Sequence, residues 1–295
     1  MSARSIFAAL ALGGCAAPQP APLADAAPAQ RAWAEACEDF DEWDKPGPPF
    51  RIHGDTYYVG TCGIAAILVA DPAGHTLIDS GTDKGAEVVI ANIRALGLDP
   101  ADVKTILMSH EHFDHVGGMA RLQAATGATI LATAPAAGVL RSGRTAPDDP
   151  QAGENHPASP PVTGAIRIIP ADTPQGRFQP IATAGHTIGA LSWRWQSCEG
   201  GECKWIVYAD SMNPISDDVY RFSDHPALVA AFRKGIADLA ASPCDILVTP
   251  HPGSSALRRR LLGEAPLVDG GACKTYAAGV TERLDARLAR EAAGG

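Results

Sequence analysis

Ser109-His110-Glu111-His112-Phe113-Asp114-His115-Val116-Gly117-Gly118 packs three imidazoles and two carboxylates into six consecutive positions. Imidazole and carboxylate are good zinc donors. A turn at a strand end aims residues two apart in one direction and their neighbours elsewhere. A packed core would not choose such a cluster, and the competing reading is a polar surface turn. Glu111, between two candidate ligands, is expected to face outward or to stand behind them. Two further histidines share the setting: Gly185-His186-Thr187 follows a strand ending at Ala184, and Pro250-His251-Pro252-Gly253 follows one ending at Thr249. In an α/β fold such strand ends collect along one edge, where distant positions converge. His110, His112, Asp114, His115, His186 and His251 are therefore the candidate metal ligands.

The elements that must position them alternate along the chain. Thr56–Gly60, Ile64–Ala70 and Thr76–Asp79 read as strands, the last two joined by the turn Asp71-Pro72-Ala73-Gly74. Val88, Ile93 and Leu96 fit a helix from about Lys84 that stops at Gly97, and Lys104–Ser109 is a β-rich run leading straight into the histidines. A helix to about Ala125, a strand at Ala128–Thr133 and a long Gly/Pro/Asp-rich stretch from Ser142 to Thr163 follow, and a loop of that length borders a site or is disordered. Beyond it, strands are expected at Ile166–Ile169, Pro180–Ala184, Leu191–Gln196, Trp205–Tyr208 and Asp245–Thr249, with a helix near Pro226–Ala240. Tyr276, Val280, Leu284 and Leu288 lie on one face of a terminal helix.

At this point the sequence resembles a known family. His110-x-His112-x-Asp114-His115, Gly185-His186-Thr187 and Thr249-Pro250-His251-Pro252-Gly253 look like the metal-binding motifs of the metallo-β-lactamase superfamily. Tyr208-Ala209-Asp210-Ser211, Cys244–Gly253 and Cys273-Lys274-Thr275-Tyr276-Ala277 resemble its third subclass of β-lactamases. The resemblance implies an α/β fold built as a four-layer αβ/βα sandwich, with two zinc ions at one edge. His110, His112 and His186 would hold the first ion, and Asp114, His115 and His251 the second. It further implies hydrolysis of penicillins, cephalosporins and carbapenems by a metal-bound hydroxide, with Asp114 also orienting the nucleophile. Ser211 and Asn213 match positions that meet the substrate carboxylate, or they simply cap a loop. Ile188 stands where many relatives have proline. Related thioesterases, lactonases and phosphodiesterases use an aspartate after a comparable strand to bridge two metals, so Asp210 is open to either role. Another di-metal hydrolase and a non-catalytic zinc-binding protein are the alternatives.

Composition fits an exported catalyst. The chain has 295 residues and a formal charge of -9, which excludes the broad positive surface that nucleic acid or an anionic membrane would need. Arg258, Arg259 and Arg260 read as a solvated patch. Residues 1–30, with Arg4, the apolar stretch Ile6–Leu12 and an Ala/Pro-rich tract, resemble an export signal and linker before a single catalytic domain over 31–295. Leu12-Gly13-Gly14-Cys15 resembles a lipoprotein cleavage box, which would tether a periplasmic protein through lipidated Cys15. Ordinary cleavage near Ala24–Ala27 is the other reading. Setting Cys15 aside leaves six of the seven cysteines, an even set suited to disulfides. Cys198 and Cys203 flank a hairpin-like turn. Cys37 with Cys62 and Cys244 with Cys273 are the simplest remaining pairs, although spacing alone leaves connectivity open. His53, His75, His156 and His225 have no comparable setting and read as structural or surface residues, His156 as a candidate for the rim of the site.

Overall fold

A computed structural model describes residues 26–154 and 156–294. Its first half holds α1 (Ala26–Ala36), β1 (Phe50–His53), β2 (Thr56–Tyr58), β3 (Ile67–Val69), β4 (His75–Ile78), α2 (Gly85–Ala95), β5 (Val103–Leu107), α3 (Phe113–Val116), α4 (Met119–Thr126), β6 (Thr129–Ala132) and α5 (Ala134–Ser142). The second half holds β7 (Ile166–Ile168), β8 (Gln179–Ala182), β9 (Leu191–Glu199), β10 (Glu202–Tyr208), α6 (Pro226–Ala241), β11 (Ile246–Val248), α7 (Leu257–Leu261) and α8 (Ala272–Ala292). One sheet runs from β1 to β7 in sequence order, antiparallel up to β4 and parallel beyond it. The other runs β11-β10-β9-β8, parallel between β10 and β11 and antiparallel elsewhere.

Successive side chains of a strand point to opposite faces, so a strand covered on both sides must be apolar at every position. Ile67 and Val69 of β3 join Ile206 and Tyr208 of β10 and Ile246 and Val248 of β11 in a core between the two sheets. Leu68 turns outward to a second core under α2, α4 and α5, while Val207 and Leu247 turn outward to a third under α6 and α8. The layers are therefore helices, sheet, sheet, helices. Val89 and Ile93 anchor α2, Phe232 and Ile236 anchor α6, and Tyr276, Val280 and Leu284 anchor α8.

Several sequence expectations need correction. The tract read as linker up to residue 30 is helical from Ala26, while Cys15 and the apolar export segment lie outside the described residues. Pro28 is tolerated because it sits in the first turn of α1, where no intrahelical N–H partner is lost. Buried Trp33 fixes the helix against Phe50 and Tyr58, with ring centroids 5.7 and 5.2 Å away. The arginine run is not a solvated patch. Arg258 Nε donates to Ala34 O and Cys37 O at the end of α1, and buried Arg260 donates to Leu247 O and Leu267 O, whereas Arg259 faces Glu264 in the solvent. Strand β3 begins at Ile67 rather than Ile64, because Ala65 N is drawn to Pro250 O across the edge between the sheets.

Disulfides join Cys37 to Cys62, Cys198 to Cys203 and Cys244 to Cys273. The second closes the β9–β10 hairpin, whose Gly200 and Gly201 both take positive φ, as a two-residue turn of that hand requires. Loop-closure entropy grows with the length of chain enclosed, and the sequence separations are 25, 5 and 29. Replacing Cys244 and Cys273 by alanine is expected to cost about 3.5 kcal/mol in urea unfolding, against about 2 kcal/mol for Cys198 and Cys203. The reverse order would show that hairpin geometry, not chain entropy, governs these bridges.

Candidate metal centre

The candidate ligands converge because each leaves a strand end at the same edge of the sandwich. β5 ends at Leu107, and Ser109 N and Oγ then donate to the buried Asp79 carboxylate, both at 2.6 Å, which fixes where His110 starts. His112 caps α3 in an extended conformation, so Asp114 and His115 fall in the first turn of that short helix. Gly118 is needed beyond it, since a Cβ there would lie 2.5 Å from Ala86 Cβ and 2.8 Å from Thr82 O. Gly185 is needed before His186 for the same reason: a Cβ would stand 2.2 Å from the Phe232 ring of α6.

His110, His112 and His186 each offer a donor atom within 4.8 Å of the others, and so do His110, Asp114 and His115. Ring centroids of the first three are 4.8 to 5.0 Å apart. His251 joins the second group through Asp114: its Nε2 is 3.4 Å from Asp114 Oδ2, while His115 Nε2 is 2.9 Å from the same oxygen. Neither group of three includes Asp210.

Partners behind the rings decide which nitrogen is free. His112 Nε2 donates to the Asp149 carboxylate at 3.2 Å, and His186 Nδ1 donates to the backbone carbonyl of Asn213 at 2.9 Å. His110 Nδ1 lies 3.2 Å from Ser109 Oγ and 2.8 Å from Asp210 Oδ1. An acceptor at one ring nitrogen fixes the proton there and leaves the other nitrogen with its lone pair. His110 Nε2 and both nitrogens of His115 are buried without a hydrogen-bond partner. Each orphaned buried group costs about 1–3 kcal/mol unless something satisfies it, and a metal ion does so. The 2.9 and 3.4 Å spacings also resemble the roughly 3.3 Å between donors on a tetrahedral ion with bonds near 2.0 Å. The residues present therefore fit a metal.

The electrostatics of His110, His186 and Asp114 favour the ligating protonation states, whereas against the lowering effect of burial Asp149 raises His112 and Asp114 raises His115. Burial, reinforced by neighbouring imidazoles, holds His110 and His186 well below the ordinary histidine range, so both are neutral. Burial alone would raise Asp114, but His115 and His251 beside it hold the carboxyl well below its usual value. Asp210 is enclosed completely, and burial lifts it to about 7 against the pull of the Ser211 and Met212 amides.

The second layer was only partly visible in the sequence. Glu111 is buried rather than outward, and its carboxylate is tied to the loop after His186. Asp149 was missed: it comes from the 142–163 stretch, where loop length is the sole hint of a nearby site and no spacing marks the residue. His156, from the same stretch, packs its ring 5.5 Å from both His112 and Phe113, at the rim. Trp43 packs 5.4 Å from Phe113 and 6.2 Å from His251, forming an aromatic wall the sequence did not announce. Ser211 is buried with its Oγ unpartnered, whereas Asn213 is half-buried and contributes its backbone carbonyl to His186. His53, His75 and His225 lie elsewhere, beside Glu199, in the Asp71 turn and stacked on Tyr220.

The solved metallo-beta-lactamase MIM-2 is 50% identical to this chain, which covers 98% of it, with 89% of this chain aligned and a TM-score of 0.84. The chain belongs to the metallo-beta-lactamase superfamily. Residues 59–199 also match the model of that superfamily. MIM-1 from Novosphingobium pentaromativorans is 48% identical (90% of this chain, 99% of that one, TM-score 0.83). MEM-A1, a subclass B3 enzyme isolated from a soil metagenome library, is 41% identical (86% and 100%, TM-score 0.80). The structural neighbours of this metallo-beta-lactamase-fold chain are thus of subclass B3. A curated relative, the N-acyl homoserine lactonase AttM of Azorhizobium caulinodans, is 37% identical over 81 residues, or 20% of this chain; the match spans 31% of the lactonase.

Asp149→Ala leaves the His112 ring without its acceptor and is expected to weaken metal binding about 10- to 100-fold. Asp210→Asn keeps an acceptor toward His110 and should retain the metal. Calorimetric titration of metal-free protein checks both, and loss of all metal from the asparagine variant would make Asp210 a ligand.

Proposed function

We propose that the protein is an exported β-lactamase that uses two zinc ions to hydrolyse the amide of penicillins, cephalosporins and carbapenems. The observation that carries this reading is its 50% identity to a metallo-beta-lactamase over nearly the whole of that protein. His110, His112 and His186 would hold the first zinc, and Asp114, His115 and His251 the second. Bound zinc supplies Lewis acidity and a water whose pKa is near 7.

The chain's own side chains supply the rest. Asp149 and the Asn213 carbonyl aim the His112 and His186 rings, and Asp210 stands behind the His110 ring. Asp114 turns Oδ2 toward His115 and His251, which leaves its other oxygen to orient the attacking water. Ser211 Oγ, buried and unpartnered, would donate to the substrate carboxylate, as would the Asn213 amide. Trp43, Phe113 and Phe40 line a cavity of about 720 Å³ next to the rings, and Asn213, Ser254 and Tyr276 line another of about 620 Å³. Three disulfides support export to an oxidising compartment, the periplasm. No described helix is long and apolar enough to cross a membrane, and a lipid on Cys15 would tether the protein.

A lactone substrate is the second reading, favoured by the partial AttM match. Purified enzyme is expected to open a panel of β-lactams far faster than N-acyl homoserine lactones, and the opposite order would move the assignment to the lactonases. Chelation should abolish turnover and zinc restore it, while His251→Ala should weaken the second ion selectively. Full turnover by metal-free protein would end the mechanism. Ser211→Ala should raise KM by about tenfold, the worth of roughly 1.4 kcal/mol, with little change in kcat if the hydroxyl only binds substrate.

A further inference from the structure

The motif carrying His110 and His112 and the loop carrying His186 belong to different halves of the chain, yet they are fastened side by side. Leu191 N donates to Ser109 O at 2.7 Å, Gly189 N to Glu111 Oε1 at 2.8 Å, and Thr187 Oγ1 to Glu111 Oε2 at 2.7 Å. From the far side Thr133 Oγ1 donates to Gly189 O at 2.9 Å. A Cβ on Gly189 would lie 2.8 Å from both Glu111 Oε1 and Thr133 Oγ1, so this close approach requires glycine. Both oxygens of Glu111 are taken by the 187–189 loop, and the side chain is 4% exposed.

We propose that Glu111 is a positioning residue for His186, setting its distance from His110 and His112 and hence the affinity of the metal site they form. The proposal rests on the two-zinc reading above. Its chemistry is specific to a carboxylate: an N–H and an O–H arrive together, and only a side chain with two acceptors satisfies both. Glutamine has the same shape but one acceptor, and its NH₂ must face a donor. Among the described residues no such two-acceptor carboxylate clasp fastens Asp114, His115 and His251, whose backbone is held instead by the Ser80 and Thr249 hydroxyls, so failure of the clasp should be felt by one ion and not the other.

The test is competitive zinc titration of metal-free protein against a chromophoric chelator, for wild type, Glu111→Gln, Thr187→Val and the double variant, with His251→Ala marking loss of the other ion. Melting of the metal-free proteins reports folding separately. Wild type should take up two zinc ions. Glu111→Gln should bind one of them 10- to 100-fold more weakly while the other is unchanged. Thr187→Val should show a smaller loss at the same ion, and the double variant should be no worse than Glu111→Gln alone, because both changes break the same clasp. Unchanged affinities in Glu111→Gln, or equal weakening of both ions, would overturn the clasp while leaving the two-zinc reading intact. Wild-type protein that took up no zinc would overturn both.

Discussion

Asp79 is the constraint on which the site depends. It is fully buried at the end of β4, in the left-handed region at φ 63°, and its carboxylate accepts from Ser109 N, Ser109 Oγ and the Tyr208 hydroxyl. Three strand ends from two sheets therefore meet at one anion. Burial pushes this carboxyl up, while the nearby His115 ring and the donors offset the penalty. Any residue without acceptors here would strand those donors at about 1–3 kcal/mol each. More consequentially, it would release from the end of β4 both the histidine motif that follows β5 and the Asp210 segment that follows β10. The strained backbone at Asp79 persists because the surrounding sheets over-determine it.

From that anchor the ligands are aimed by a layer drawn from scattered places. Asp149 comes from a long loop, Asp210 follows β10, Asn213 lends a carbonyl, and Glu111 lies within the ligand motif itself. These segments are tied to one another as well. Asp217 accepts from Gly153 N, Val219 N and Tyr220 N, which hitches the Asp149 loop to the stretch after Asn213, and the Tyr276 hydroxyl of α8 donates to Asp210 O and Ser211 O. Neutral imidazoles packed this closely bury lone pairs with nothing to meet them. The cost is acceptable only in a protein whose core is completed by a cation, so the same geometry that implies a metal also couples metal to stability.

The candidate metal ligands were legible as a cluster because ligation would constrain type and spacing at once. His110, His112, Asp114 and His115 form a dense local pattern, and His186 and His251 repeat the setting of a histidine just past a strand. Most strands were legible too, since two-sided burial demands uninterrupted apolar runs such as Ile67-Leu68-Val69. The illegible parts depend on tertiary partners. The start of α1 was masked by an Ala/Pro composition shared with linkers, and it is held by Trp33 and by Arg258, a residue that reads as surface until the chain is folded. Asp149 is one acidic residue among several in a polar loop, and nothing local distinguishes the one that reaches His112. Glu111 was ambiguous because a turn between ligands can present it either way, and only the 187–189 backbone decides.

The division of the chain also bears on substrate. The superfamily match ends at residue 199, so it contains His110, His112, Asp114, His115 and His186, while Ser211, Asn213, His251 and the whole of α6 and α8 lie beyond it. The metal chemistry is carried largely by the part shared across a superfamily of many substrates. What lies beyond that part includes the unpartnered Ser211 hydroxyl, the cavity lined by Asn213 and Tyr276, and the Asp210 backbone held by α8. Metal-binding motifs therefore specify a hydrolase but leave its substrate open, and the similarity that bears on substrate is the one that reaches beyond residue 199, as the likeness to MIM-2 does by covering 89% of the chain.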